Sequence, residues 1–341
     1  MCDMTRREFM AGTTAVLSVI ATGEVLPATQ TQAGQVDKVS TDIFFHQDED
    51  GCNTGFVILE DYVLVIDANF PTGAKQALPQ IRALTDRPIR FAFDTHHHGD
   101  HVYGNQVFVE NGAVPIAHTG VLEELKKYET GYYGGKPGRW EQASKERPDL
   151  QTTRLKPPSV LFPTELIFDD GKHRVELIHL GVAHTHGDAV AWLPNERILF
   201  AGDTCVNGPY NYVGDGNVEQ WVKTLDAERK LGAKIVCPGH GPRGNGEILG
   251  DQQAFFQALR NQVGKLVSAK KTAAEIQQSL DRISAELTAD ARIARYVAKT
   301  ELPAQVEKVL MEMTGTRFPA AQRRSDQARL RHAQQHGLYQ V

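Results

Sequence analysis

From about residue 39 onward the chain alternates short apolar runs with amphipathic stretches, the pattern of a layered α/β domain. Residues 55–60 (GFVILE), 62–68 (YVLVIDA) and 89–95 (IRFAFDT) are rich in β-branched and aromatic side chains and bounded by Asp, Gly or Pro, so they read as strands. Residues 72–84 carry apolar positions at helical spacing, and a second helix is expected after Gly104, with Asn105 as its cap. A second strand series follows at residues 165–170, 173–180, 189–194, 197–203 and 234–240, which implies two similarly built halves. Between the halves, residues 128–163 form a long connection rich in Gly, Pro and aromatics, including Tyr132, Tyr133 and Trp140. Those aromatics either cover the site as a lid or pack the connection onto the domain.

After residue 250 the composition shifts to Ala, Gln, Lys, Glu and Leu, with helical periodicity at residues 255–267, 273–287 and 302–313. The expected division is therefore an α/β domain over residues 39–245, a helical extension over 250–318 and a polar, basic tail over 319–341. At the other end, TRREFM (residues 5–10) precedes a mildly apolar run over residues 11–21, which resembles a twin-arginine export signal occupying residues 1–33. That run is too short to span a bilayer permanently. The label implies the twin-arginine translocation machinery as a partner and a periplasmic or secreted destination.

Charge narrows the list of partners. Asp and Glu number 42 against 37 Lys and Arg, a formal net charge of −5, so nothing in the balance asks for nucleic acid. The four cysteines, Cys2, Cys52, Cys205 and Cys237, are scattered without paired spacing, which argues against a disulfide framework and for buried free thiols.

The chemistry concentrates in THHHGDH (residues 95–101), directly after an apolar strand. His96 and His98 alternate by two and point the same way, His97 points the other way, and Asp100 with His101 falls past the turn. One loop can feed two metals. Imidazole and carboxylate ligands suit zinc and tolerate iron or manganese. Further ligand types recur at strand ends: His184 in GVAHTHGD, Asp203 in LFAGDT and His240 in CPGHGP, each set in Gly or Pro. His186 lines the pocket or steadies its turn, and His46, His118 and His179 read as structural.

These residues resemble the metallo-β-lactamase superfamily: HxHxDH, then a His, an Asp and a His, in order, with Asp67 matching an upstream aspartate, over residues 39–243. The resemblance implies a four-layer αββα sandwich. It also implies one metal site of His96, His98 and His184, a second of Asp100, His101 and His240, and Asp203 as the bridge. Two Zn2+ ions would then share a hydroxide nucleophile that Asp100 orients, with Asp67 supporting the ligand loop. No organic cofactor is expected. The bridging carboxylate is similar to the thioesterase and lactonase branches, so the expected small-molecule substrate has a carbon-centred ester, thioester, lactone or β-lactam bond. Two rivals share the ligand set: a mononuclear iron persulfide dioxygenase-like oxidoreductase, and a non-catalytic periplasmic metal carrier or maturation factor.

Overall fold

The structure is a computed structural model that describes residues 36–132 and 134–319. The twin-arginine segment, Cys2, Tyr133 and residues 320–341 lie outside the described residues. A seven-stranded sheet runs in chain order through β1 (Val36–Ser40), β2 (Ile43–His46), β3 (Thr54–Ile58), β4 (Val63–Ile66), β5 (Ile89–Asp94), β6 (Val114–His118) and β7 (Val160–Phe162). Its first four strands are antiparallel neighbours, and β4 to β7 are parallel. The second sheet holds β8 (Glu165–Asp169), β9 (Arg174–Ile178), β10 (Val190–Leu193), β11 (Ile198–Val206) and β12 (Ile235–His240), in the order β12-β11-β10-β9-β8.

The side-chain period of two explains why the sheets stack. Leu64 and Ile66 of β4 enter a core shared with Leu177, Ala191 and Phe200 of the second sheet, while Val63 and Val65 face the other way. There they meet α1 (Pro71–Leu84) and α3 (Asn105–Glu110), which follows the short α2 (Gly99–Val102), through Ala74, Ile81, Val107 and Phe108. The outer face of the second sheet, with Val190, Trp192 and Leu199, is covered through Trp221, Phe256 and Val306 by helices of the second half. The result is the expected helix, sheet, sheet, helix layering.

The connection between halves has structure of its own: α4 (Thr119–Leu125) and α5 (Arg139–Glu146), with short 3-10 turns at Lys126–Tyr128 and Pro148–Thr152. In the second half, α6 (Val218–Leu231) starts at Asn217, whose side chain accepts from Gln220 N, and ends at Gly232 in the left-handed region. After β12 come α7 (Glu247–Ser268), α8 (Ala273–Gln277), α9 (Leu280–Thr288) and α10 (Leu302–Thr314); α7 lies against α6, and α10 against α7.

Two local expectations are corrected. The periodic stretch at residues 273–287 is two helices, because the chain turns at Ser279, whose N–H bonds Ile276 O at 3.0 Å. Asn105 does not cap α3. It lies inside the helix, and its amide donates to Asp94 Oδ2 at 2.8 Å and Lys156 O at 3.1 Å, tying the end of β5 to the connection.

Candidate metal centre

The sheet edge where β4, β5, β11 and β12 end gathers the ligand-type residues. Past β4, Asp67 takes a left-handed backbone (φ 62°), which returns its carboxylate toward the end of β5. Asp67 Oδ1 accepts from Thr95 N at 2.8 Å and from Thr95 Oγ1 at 2.9 Å, fixing where the histidine run begins. Its Oδ2 lies 2.9 Å from His101 Nδ1. That contact leaves His101 Nε2 to face the centre, as expected of a supporting carboxylate.

His96 is buried, with Nε2 lacking a hydrogen-bond partner among the described residues. His98 stands just before α2, which carries Asp100 and His101, and its side chain makes no capping bond. His98 Nδ1 stands 2.7 Å from His184 Nε2, and His184 is turned by its Nδ1, 2.9 Å from Tyr212 O. The His184 turn is steadied by Thr185, whose N–H and hydroxyl both bond Asp188. His186 is exposed beside it, so it does not supply that bond.

Asp203 is aimed by its neighbour. Gly202 sits at φ 53°, in a β11 stretch where the register with β12 shifts, and a Cβ there would fall 2.4 Å from Thr95 Oγ1. The two Asp203 oxygens part company: Oδ2 is 3.3 Å from His184 Nε2, and Oδ1 is 3.4 Å from both His101 Nε2 and His240 Nε2. Asp100 Oδ2 completes the second group, 3.1 Å from His240 Nε2 and 3.7 Å from His101 Nε2. All seven expected ligands therefore converge. Their ligand atoms form the groups His96–His98–His184, His96–His101–Asp203 and Asp100–His101–His240, each within 4.8 Å.

The electrostatics divide the same way. Burial, then the neighbouring imidazoles, holds His96 well below the usual histidine range and His98 at about 3, so these rings offer lone pairs. Burial opposes ionisation of Asp203, but the fields of His240 and His101 outweigh it and hold its carboxyl well below the usual range. The same carboxylates raise His240 to about 10 against the effect of burial. One half is a neutral nitrogen cluster and the other is a carboxylate-rich pocket that attracts positive charge.

Residues invisible to motif reading support the first group. Asp215 Oδ2 lies 3.0 Å from His98 Nε2, so that nitrogen carries the proton and Nδ1 stays free. Arg139 of α5 grips Asp215 with two hydrogen bonds, 2.8 and 2.9 Å. Burial alone would raise the Asp215 carboxyl; His97, His98 and Arg139 together hold it far below the usual range. Tyr128 Oη donates to His97 O at 2.9 Å, and Trp140 stacks edge-on against Tyr103 at 4.7 Å. The connection is thus fastened to the ligand loop, while Tyr132 at its tip is exposed.

His97 faces away from the centre, fully buried, with Nε2 3.7 Å from Glu124 and from Asp215. His46 lies buried on β2, and His118 stacks on His179 at 4.1 Å, each ring nitrogen contact going to backbone. Cys52, Cys205 and Cys237 are buried free thiols; Cys52 lies beside Asp67 and His101.

The model of the metallo-beta-lactamase superfamily matches residues 48–240, and the chain belongs to that family. Among curated proteins, a metallo-beta-lactamase type 2 of Pseudomonas aeruginosa is 33% identical over 105 residues, covering 30% of this chain and 39% of that protein. A hydroxyacylglutathione hydrolase of Methylococcus capsulatus is 23% identical over 234 residues, 65% of this chain and 79% of its own length. The chain spans 39% and 32% of the length of the lactamases it matches from Pseudomonas aeruginosa and Bacteroides fragilis. In three dimensions, a metallo-beta-lactamase from Pontibacter korlensis aligns with TM-score 0.54 at 19% identity, over 65% of this chain and 98% of that one. That likeness is one of fold.

Proposed function

We propose that this chain is a dinuclear, zinc-class metal-dependent hydrolase acting on a small molecule with a carbon-centred ester, thioester, lactone or β-lactam bond. The observation that carries the reading is the split of the Asp203 carboxylate, one oxygen toward each ligand group. The donor set fits the ions. Ligands about 2.0–2.1 Å from a tetrahedral ion lie ~3.3 Å apart, and the contacts here run from 2.7 to 3.7 Å. Among the described residues, buried Nε2 of His96 and Oδ1 of Asp203 lack hydrogen-bond partners, and they are atoms such ions would satisfy.

In this reading His96, His98 and His184 would hold one ion and Asp100, His101 and His240 the other, with Asp203 between the two groups. Bound there, the ions supply Lewis acidity and a water acidic enough to serve as nucleophile near neutral pH. Asp100 would orient that water, while Asp67, Asp215 and the Tyr212 carbonyl hold His101, His98 and His184 by their outer nitrogens. We further read residues 39–245 as the metal-binding domain, 250–318 as a helical extension, 319–341 as a tail and 1–33 as a twin-arginine signal directing export. Among the described residues, no helix is long and apolar enough to cross a membrane.

The test pairs two neighbours on the ligand loop. Asp100→Ala is expected to abolish hydrolysis, and His97→Ala, whose ring faces away, to retain most of it. Equal loss from both would overturn the ligand assignment.

A further inference from the structure

Against the loop that steadies His98 and His184 the chain has a cavity. It measures about 380 Å³ and is lined by residues 211–214, by α10 and by Arg317 and Phe318 beyond it. That is within the usual range for small-molecule sites. Val213, Met311 and Phe318 give it an apolar wall. Two cations, Lys308 and Arg317, also line it, and neither makes a hydrogen bond or close ion pair with a described residue.

The carboxylates that reach Lys308 electrostatically are Glu312 and Asp215, and both are committed elsewhere. Glu312 accepts from Val218 N at 2.9 Å and from Arg260 at 3.4 Å; Asp215 is held by Arg139. Glu307, on the cavity wall, turns an oxygen to Phe318 N at 2.9 Å. The remaining acid, Glu301, is buried, with Oε1 partnerless among the described residues. Burial pushes it up to about 7, so near neutrality a large share of it is uncharged and able to donate. The cavity therefore holds two cations with no close carboxylate partner among the described residues, beside apolar side chains.

We propose that this cavity binds a small organic anion with an apolar body, its acidic head on Lys308 and Arg317 and its chain against Val213, Met311 and Phe318. The site stands apart from the hydrolase reading, since it needs no metal. It touches that reading through Tyr212, which lines the cavity, gives its carbonyl to His184 and places its ring 5.5 Å from that of His98. An occupant of the cavity bears on the loop whose Tyr212 carbonyl and Asp215 carboxylate hold His184 and His98.

The experiment is calorimetric titration of the purified, metal-loaded chain with sodium octanoate, repeated with octanol, with acetate, and on the K308Q/R317Q double variant. Saturable octanoate binding is expected, with octanol and acetate both weaker. The double variant should bind octanoate about ten-fold less tightly, at unchanged metal content and melting temperature. Met311→Ser should weaken octanoate and leave acetate unaffected. The proposal is overturned if octanoate shows no saturable binding, if the double variant binds as tightly as the parent, or if binding vanishes on chelation of the metals while ignoring the variant. Because no turnover is read, a chain that binds octanoate but hydrolyses nothing would sink the hydrolase reading and leave this one standing.

Discussion

Asp215 tests the geometry of the first ligand group without touching a ligand. His98 can offer Nδ1 toward His184, 2.7 Å away, only while its Nε2 keeps the proton and gives it to Asp215 at 3.0 Å. Asp215→Ala removes that anchor, frees the ring to rotate or change tautomer, and takes from Arg139 the carboxylate it grips, while Lys127 keeps its closer pair with Glu124. Partners of metal-binding histidines are typically worth about 10–100-fold in metal affinity, or ~1.4–2.7 kcal/mol. Stability should also fall. Breaking a buried pair costs about 3–5 kcal/mol, but Arg139 and Lys127 are 19% and 23% exposed and partly screened, so about 1–2 kcal/mol is expected here. Arg139→Gln keeps the carboxylate and should lower metal affinity only about three-fold. The assay is competition of each holoprotein with a chromogenic chelator, alongside thermal melting. If Asp215→Ala melts earlier but holds metal as tightly as the parent, the residue is merely structural and the tautomer argument is refuted.

Further expectations bear on other parts of the centre. Asp67→Asn weakens the hold on His101 Nδ1 and should lower second-site affinity about ten-fold, so metal per chain measured after dialysis falls toward one; full occupancy would contradict the role given to Asp67. Gly202→Ala places a Cβ at φ 53° against Thr95 and should cost about 1–3 kcal/mol in denaturant unfolding; an unchanged midpoint would show that the left-handed turn does not aim Asp203. Glu228 is fully buried on α6, and burial, only partly offset by the Thr204 hydroxyl, lifts it from 4.5 to about 8. The unfolded chain thus loses this proton first, so the stability it contributes falls as pH rises from about 4.5 to 8 and then levels off. Glu228→Gln should remove that slope, shifting the stability difference from the parent by on the order of 2–4 kcal/mol between about pH 5 and pH 8. Parallel curves for the two proteins would argue against a protonated Glu228.

The histidine run was legible in the sequence because four donors stand within six residues and the other three end apolar strands in Gly or Pro turns. The inner strands β3, β4 and β5 were legible for a related reason: β4 and β5 bury almost every side chain and leave apolar signatures. β1 is an edge strand carrying Asp37 and Lys38 with no residue fully buried, and β7 is only three residues long, so neither stands out from loop. At residues 273–287 the apolar period runs through the break, because Ile276 and Ile283 bury in the same core from two separate helices. Asp215 and Arg139 could not be read at all. They lie 117 and 41 positions from His98, and only the folded connection brings a guanidinium, a carboxylate and an imidazole into line.

The most direct test of the central claim is elemental analysis of the purified chain, joined to a hydrolysis screen with a chromogenic cephalosporin, a thioester, aryl esters and a lactone. Two zinc-class ions per chain and chelator-sensitive turnover of one of these bond types are expected. A single tightly held iron, oxygen consumption and no hydrolysis would contradict it.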